Sequence, residues 1–249
     1  VQMIAPDSLV DAAVSKAKAM SKGTVLKEEF VDDYLGRNGR GKTVFLETEV
    51  PDLDSLDSLR TDALSLLDRN LTNVAGVCAP ISWDRLGFHF GDRTKGMVVT
   101  NYADRHEEVA LKPEMLTDDD VDDGAVADHV CFLQRRKLCM MTWLENEGGF
   151  CTLIPRPDLD QEPVSLKLTT KRLLVFRCDR LTFRYEPVGS SVTLQAWILE
   201  RPPNMQLSTI EGDAQSKAMA LGILLGRPNP EGDRVHVMAV HTRLPGGGY

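Results

Sequence analysis

The chain has 249 residues, 42% apolar and 27% charged, with 37 acidic against 29 basic side chains and a net charge of −8. The apolar share supports a buried core and excludes a disordered chain. The acidic balance argues against a scaffold held on nucleic-acid phosphates, so no nucleic-acid partner is expected.

Residues 7 to 22 carry Ala, Val, Met and Lys at helical spacing behind an Asp7/Ser8 cap, and 27 to 35 read as a second short helix. Residues 43 to 48 read as a strand. Pro51 and Asp54 open an amphipathic helix over 54–71, with Leu56, Leu59, Ala63, Leu66 and Leu67 on its apolar face. From about residue 80, short β runs follow one another at 97–102, 138–144, 151–154, 164–168, 173–177, 181–185 and 191–199. In the last, Val192, Leu194, Ala196 and Ile198 share one face, and Ser191, Thr193, Gln195 and Trp197 the other. A long polar insertion holding Asp118, Asp119, Asp120, Asp122 and Asp123 lies between Tyr102 and Phe132. Residues 213–225 form an apolar helix candidate, and a strand runs from Arg234 to Val240. Many short strands after a helical lead predict a β-sandwich or barrel buttressed by helices.

No apolar run approaches the ~20 residues of a membrane span, and no membrane partner is expected. Val1 to Pro6 lacks the charged lead and apolar stretch of a secretion signal. Five cysteines (Cys78, Cys131, Cys139, Cys151 and Cys178) form no C-x-x-C pair. Reduced thiols in an intracellular, cytoplasmic protein are expected. Both ends read as cuts from a longer chain.

Three motifs suggest chemistry. Gly36, Gly41, Lys42 and Thr43 fit the phosphate-loop pattern G-x-x-x-x-G-K-T. That chemistry needs a strand before the loop and a helix after it. Here the order is reversed, and a basic turn is the expectation. The acidic run 117–124 has alternate aspartates but no closing Glu for a calcium loop, so a solvated loop is expected. His89 with Asp92, and His129 with Cys131, are the metal-like fragments. A strand-borne iron pair needs His-x-Asp/Glu, because alternate residues point the same way. His89 and Asp92 are three apart, and His129 is followed at the right spacing by a thiol.

Residues 80 to 204 resemble a family. The stretch from Gly91 to Tyr102, the run from Arg136 to Gly149 with its Gly-Gly turn, the block from Lys171 to Arg180, and the strand from Pro187 to Trp197 are similar, in order and spacing, to the hypoxia-factor type prolyl hydroxylases. These are iron(II)/2-oxoglutarate dioxygenases. The resemblance implies an α+β, mainly β fold: a double-stranded β-helix, jelly-roll-like, with N-terminal buttressing helices. Carried over residue by residue, it implies a degenerate site. Counting from Asp179, the second iron histidine falls on Phe183, which offers no lone pair. Counting back from Trp197, the arginine that pairs with 2-oxoglutarate falls on Ser191. The first metal pair falls near 128–131, where His129 and Cys131 stand. Tyr102 is a further cofactor-binding candidate.

A second resemblance covers the end. Arg234 to Gly247, with its Arg-Leu-Pro-Gly-Gly stretch, looks like the opening strand and loop of a polyketide-synthase ketosynthase domain. Together these imply a lead-in at 1–50, a dioxygenase-like barrel at 51–204, a linker with a helix at 205–233, and a ketosynthase start at 234–249. The function implied is a non-catalytic barrel with a structural or partner-binding role, its partners the neighbouring ketosynthase or other synthase domains. No catalytic residue and no cofactor is then expected. The alternative is an active or atypical dioxygenase using iron(II) and 2-oxoglutarate, drawing on His129, His89 or His106.

Overall fold

A computed structural model of the chain describes residues 5–20, 23–46 and 62–202. The first part of the helix expected at 54–71, the helix at 213–225, the strand at 234–240 and the ketosynthase-like segment lie outside the described residues.

Helix α1 (Asp7–Ala19) buries Val10, Ala13, Val14 and Ala17. Its N-cap is Pro6, without a side-chain cap, rather than the expected Asp7/Ser8. Pro suits that place because its missing N–H loses no helix bond. A 3₁₀ turn (Glu28–Phe30) leads into the short α2 (Val31–Leu35), and strand β1 (Lys42–Phe45) follows.

Helix α3 (Ala63–Cys78) is capped by Asp62, whose carboxylate accepts the Leu64 N–H. It lies further along the chain than 54–71, and its buried face is Leu64, Leu67, Leu71 and Ala75. That stripe repeats every three to four residues and continues past the expected end, which decides the register. A 3₁₀ turn (Ala79–Ile81) and a π turn (Ser82–Leu86) connect α3 to β2 (Phe90–Arg93) and β3 (Met97–Thr100). The segment expected to be a polar loop is helical: α4 (Arg105–Ala110), α5 (Asp118–Asp122) and α6 (Ala125–Arg135). In α5, Thr117 and Asp120 form a reciprocal capping box, which turns an acidic run into a helix start. The remaining strands are β4 (Arg136–Asn146), β5 (Gly149–Pro155), β6 (Val164–Lys167), β7 (Leu173–Arg177), β8 (Leu181–Pro187) and β9 (Ser191–Glu200).

The pairings between these strands are antiparallel. One sheet has the order β1-β3-β9-β4-β7, with β2 on β9 as well; the second has the order β6-β5-β8. From β4 onward the chain passes back and forth between the sheets: β4 lies in the first, β5 and β6 in the second, β7 in the first, β8 in the second and β9 in the first. This is the helix-buttressed double-stranded β-helix expected from the sequence.

The period-2 alternation of β9 assigns its two faces. Val192, Leu194, Ala196 and Ile198 pack with Val98, Leu138 and Met140 under α1 and α3. Trp197 and Leu199 turn the other way, with Met97, Val99, Cys139, Met141 and Trp143, onto Cys151 and Phe183 of the smaller sheet. The order of layers is therefore helices, large sheet, small sheet. Asp68 of α3 ties the helix layer to β2 through two bonds from Arg93, at 2.8 and 2.7 Å, a bidentate geometry. No described helix is long and apolar enough to cross a membrane.

Candidate functional site

The chain between α2 and β1 closes one side of the space between the sheets. The Arg37 N–H donates to the Phe183 carbonyl of β8 at 2.8 Å. Five residues later, Lys42 stands opposite Thr100 of β3. The loop therefore passes from the edge of one sheet to the edge of the other. Its glycines are set by this contact. Gly36 has φ +82°, and a Cβ there would lie 2.6 Å from the Phe183 carbonyl oxygen. Gly41 has φ +149°, and a Cβ would lie 2.8 Å from the Thr100 carbonyl oxygen. Neither position tolerates a side chain. A strand, not a helix, begins at Lys42, as the reversed context of the phosphate-loop pattern implied. The Lys42 ammonium is buried and held by the Met20 carbonyl at 2.5 Å and Glu107 at 2.7 Å. The pattern's letters arise from packing, and its lysine is already engaged.

Inside the barrel, Phe183 is 6% exposed and packs edge-on against Phe176, ring centroids 5.7 Å apart. A cavity of about 10 Å³ lies here, bounded by Leu35, Arg40, Val99, Met141, Phe183 and Tyr185, with Thr193 and Gln195. That is at the lower limit for one water molecule and cannot admit a dicarboxylic acid. The hydroxyls here engage one another. Ser191 and Tyr185 share a short hydroxyl–hydroxyl bond, and Thr193 donates to the Tyr185 oxygen at 3.0 Å. The Ser191 N–H donates to Asn101 Oδ1 at 2.7 Å, and Gln195 Nε2 to the Tyr34 carbonyl at 2.7 Å. Burial pushes the Tyr185 hydroxyl above its ordinary pKa, so it stays protonated.

His129 and Cys131 lie on α6, where residues two apart diverge around the axis. His129 is 7% exposed and Cys131 is exposed. The His129 ring stacks on Phe30 with centroids 3.8 Å apart. Its Nε2 lies 3.0 Å from the Asp33 carboxylate, which also takes the Arg136 guanidinium at 2.6 Å. His129 is thus used to seat α6 on α2 and β4, and Phe183 and Ser191 do not meet it in the described contacts. His89, just before β2, stacks on Trp83. The sequence also contains a His-x-Glu pair, His106 and Glu108. It falls on α4, where the same spacing separates the two side chains instead of aligning them. Among the described residues, no group of three or more His, Cys, Asp or Glu side chains is placed to hold a metal ion. Among the described residues, the side chains at these positions do not fit an iron(II)/2-oxoglutarate centre. Burial pushes the Cys151 and Cys178 thiols up to about 12 and Cys139 well above its ordinary value, which keeps them protonated.

A larger cavity, about 630 Å³, opens beside the loop, between residues 24–43 and 102–113. Tyr102 lines it. Burial raises the pKa of its hydroxyl.

No family model matches the sequence, and none of the curated proteins matches it. Among solved structures, the chain is similar to a prolyl hydroxylase from Trichoplax adhaerens in complex with a hypoxia inducible factor oxygen degradation domain peptide fragment. The identity is 15%, over 83% of this chain and 86% of that one, with a TM-score of 0.48. It is also similar to a prolyl-4-hydroxylase from Pseudomonas putida, at 13% identity over 81% of this chain and 91% of that one, with a TM-score of 0.45.

Proposed function

We propose that this chain is a non-catalytic barrel of prolyl-hydroxylase-like architecture. Its role is structural or partner-binding, beside a ketosynthase in a polyketide synthase. The observation that carries the non-catalytic reading is the closed interior. Phe183, Leu35 and Arg40 reduce the space between the sheets to about 10 Å³. A side chain without a lone pair stands where the resemblance puts an imidazole, and Ser191 is committed to Tyr185 and Asn101. The loss of an arginine partner for a carboxylate removes a charge-assisted contact of about 1.5–3 kcal/mol. On this reading the barrel works in the cytoplasm with neighbouring synthase domains, without iron or 2-oxoglutarate. The ketosynthase context rests on the Arg243 to Gly247 stretch alone.

Calorimetric titration of the full chain with iron(II) and then 2-oxoglutarate, without oxygen, tests the reading. Neither is expected to saturate at protein stoichiometry. Stoichiometric binding of both, followed by succinate release on admitting oxygen, would establish the alternative, an atypical dioxygenase. Sedimentation of the chain with an excised ketosynthase domain checks the partner, with a complex as the expected result.

A further inference from the structure

We propose that the cavity between residues 24–43 and 102–113 binds a small zwitterion with an apolar body, on the scale of a dipeptide. The proposal does not depend on whether the barrel is catalytic: this cavity shares Leu35 and Arg40 with the small one between the sheets, and the rest of its lining is its own. Its volume of about 630 Å³ falls within the range of small-molecule sites, about 300–1,000 Å³. Its apolar lining comes from both walls: Leu26, Val31 and Leu35 on one, Val109, Leu111 and Pro113 on the other. Lys42 joins the two walls, being buried at 3% exposure and paired with Glu107 of α4. That pair neutralises itself and leaves the recognition to other groups.

The distinguishing observation concerns the other charges. Arg40, Arg105 and Lys112 line the cavity, and so do Glu28, Asp32 and Glu108. Three cations and three carboxylates share one cavity, yet none is ion-paired with another or with any described residue within 4 Å. Their neighbours behave differently. Lys27 pairs with Glu114 and Asp120, and Arg136 with Asp33. Of the three carboxylates, only Asp32 takes a hydrogen bond among the described residues, from the Asn38 N–H at 3.1 Å, which leaves most of its acceptor capacity free. These six side chains are exposed at the cavity's rim, and opposite charges that do not pair with one another, beside an apolar lining, are complementary to a ligand that carries both. A simple anion would gain from the cations and lose to the carboxylates in comparable measure. The Tyr102 hydroxyl keeps its proton and can donate to the ligand's carboxylate.

Calorimetry or amide-shift titration of the full chain with leucyl-leucine, N-acetyl-leucyl-leucine, leucyl-leucinamide, inorganic phosphate and 2-oxoglutarate tests the assignment. The free dipeptide is expected to bind at least about tenfold more tightly than either blocked form, since each blocked form leaves one charged set unpartnered. Arg105→Gln should weaken the dipeptide about tenfold while leaving the amide unchanged. Glu108→Gln should weaken the dipeptide about tenfold while leaving the acetylated form unchanged. Both residues are exposed, so near-ultraviolet circular dichroism should show an intact fold in each variant. The proposal is overturned if the three dipeptides bind within about threefold of one another, or if none saturates. It is equally overturned if phosphate or 2-oxoglutarate binds best.

Discussion

Replacing Phe183 with alanine tests whether the closed barrel interior is packed or merely occupied. The ring is 6% exposed and lies among Phe176, Leu35 and the Gly36 backbone. A buried aromatic removes about 150–250 Å² from water, which at about 25 cal/mol per Å² is worth about 4–6 kcal/mol. The retained Cβ and a partly collapsed unfolded chain reduce this to about 3–5 kcal/mol, the range of Phe→Ala substitutions in cores. A domain holds about 5–15 kcal/mol in total, so the variant should fold but sit near its threshold. Urea unfolding at 25 °C, followed by the fluorescence of the buried Trp143 and Trp197, measures the loss. Trp197 shares a core cluster with Phe183 and reports the same region. A loss below about 1 kcal/mol with an unchanged m value would refute the reasoning. The space between the sheets would then be loosely filled, and the argument for a closed site would fail.

Two glycine substitutions should move stability in opposite directions. Gly36→Ala meets the Phe183 carbonyl at positive φ and should lose about 1–3 kcal/mol. Gly76→Ala, inside α3 with open space around the new methyl, should gain about 0.5–1 kcal/mol and raise the melting temperature by a few degrees. Asp33→Ala removes the shared partner of Arg136 and His129 and should lose about 2–3 kcal/mol by urea unfolding. The Glu107 carboxyl is held below its ordinary value of 4.5 by the Ala103 N–H and the Lys42 ammonium. A depressed carboxyl pKa contributes stability that is complete above the unfolded value and lost as pH falls through the folded one. The urea midpoint of Glu107→Gln should therefore lie below that of the wild type at pH 6–7, and the gap should close as pH falls from 4.5 through the lowered folded value.

The strands from β3 to β9 were legible because apolar alternation and Gly/Pro turns mark them locally. Strand β2 was not: Phe90, Gly91, Asp92 and Arg93 show no alternation, and they become a strand by pairing with the far end of β9. The start of α3 was written in Asp62, a cap residue passed over in favour of Asp54. The acidity of the insertion suggests a solvated loop, although Thr117 and Asp120 carry a capping box. Of the candidate site, Phe183 and Ser191 were found through spacing around Asp179 and Trp197. The role of His129 was not legible, because Asp33 lies 96 positions away in sequence. The phosphate-loop pattern shows the converse. Its glycines answer to carbonyls of β3 and β8, which no local pattern reveals.

Strand β9 is the last described strand, yet it lies between β3 and β4 and is covered on both faces. On a ribosome, its partners emerge some 40 to 100 residues before it, as Asn146 and Met97 precede Ser191. Until β9 arrives, the large sheet is two edges with a gap about one strand wide, roughly 10 Å between β3 and β4. Nascent chains are therefore exposed in this interval to filling of the gap by an extended segment of another molecule. A chaperone that shields sheet edges should raise the yield of soluble protein more than one that shields only apolar faces.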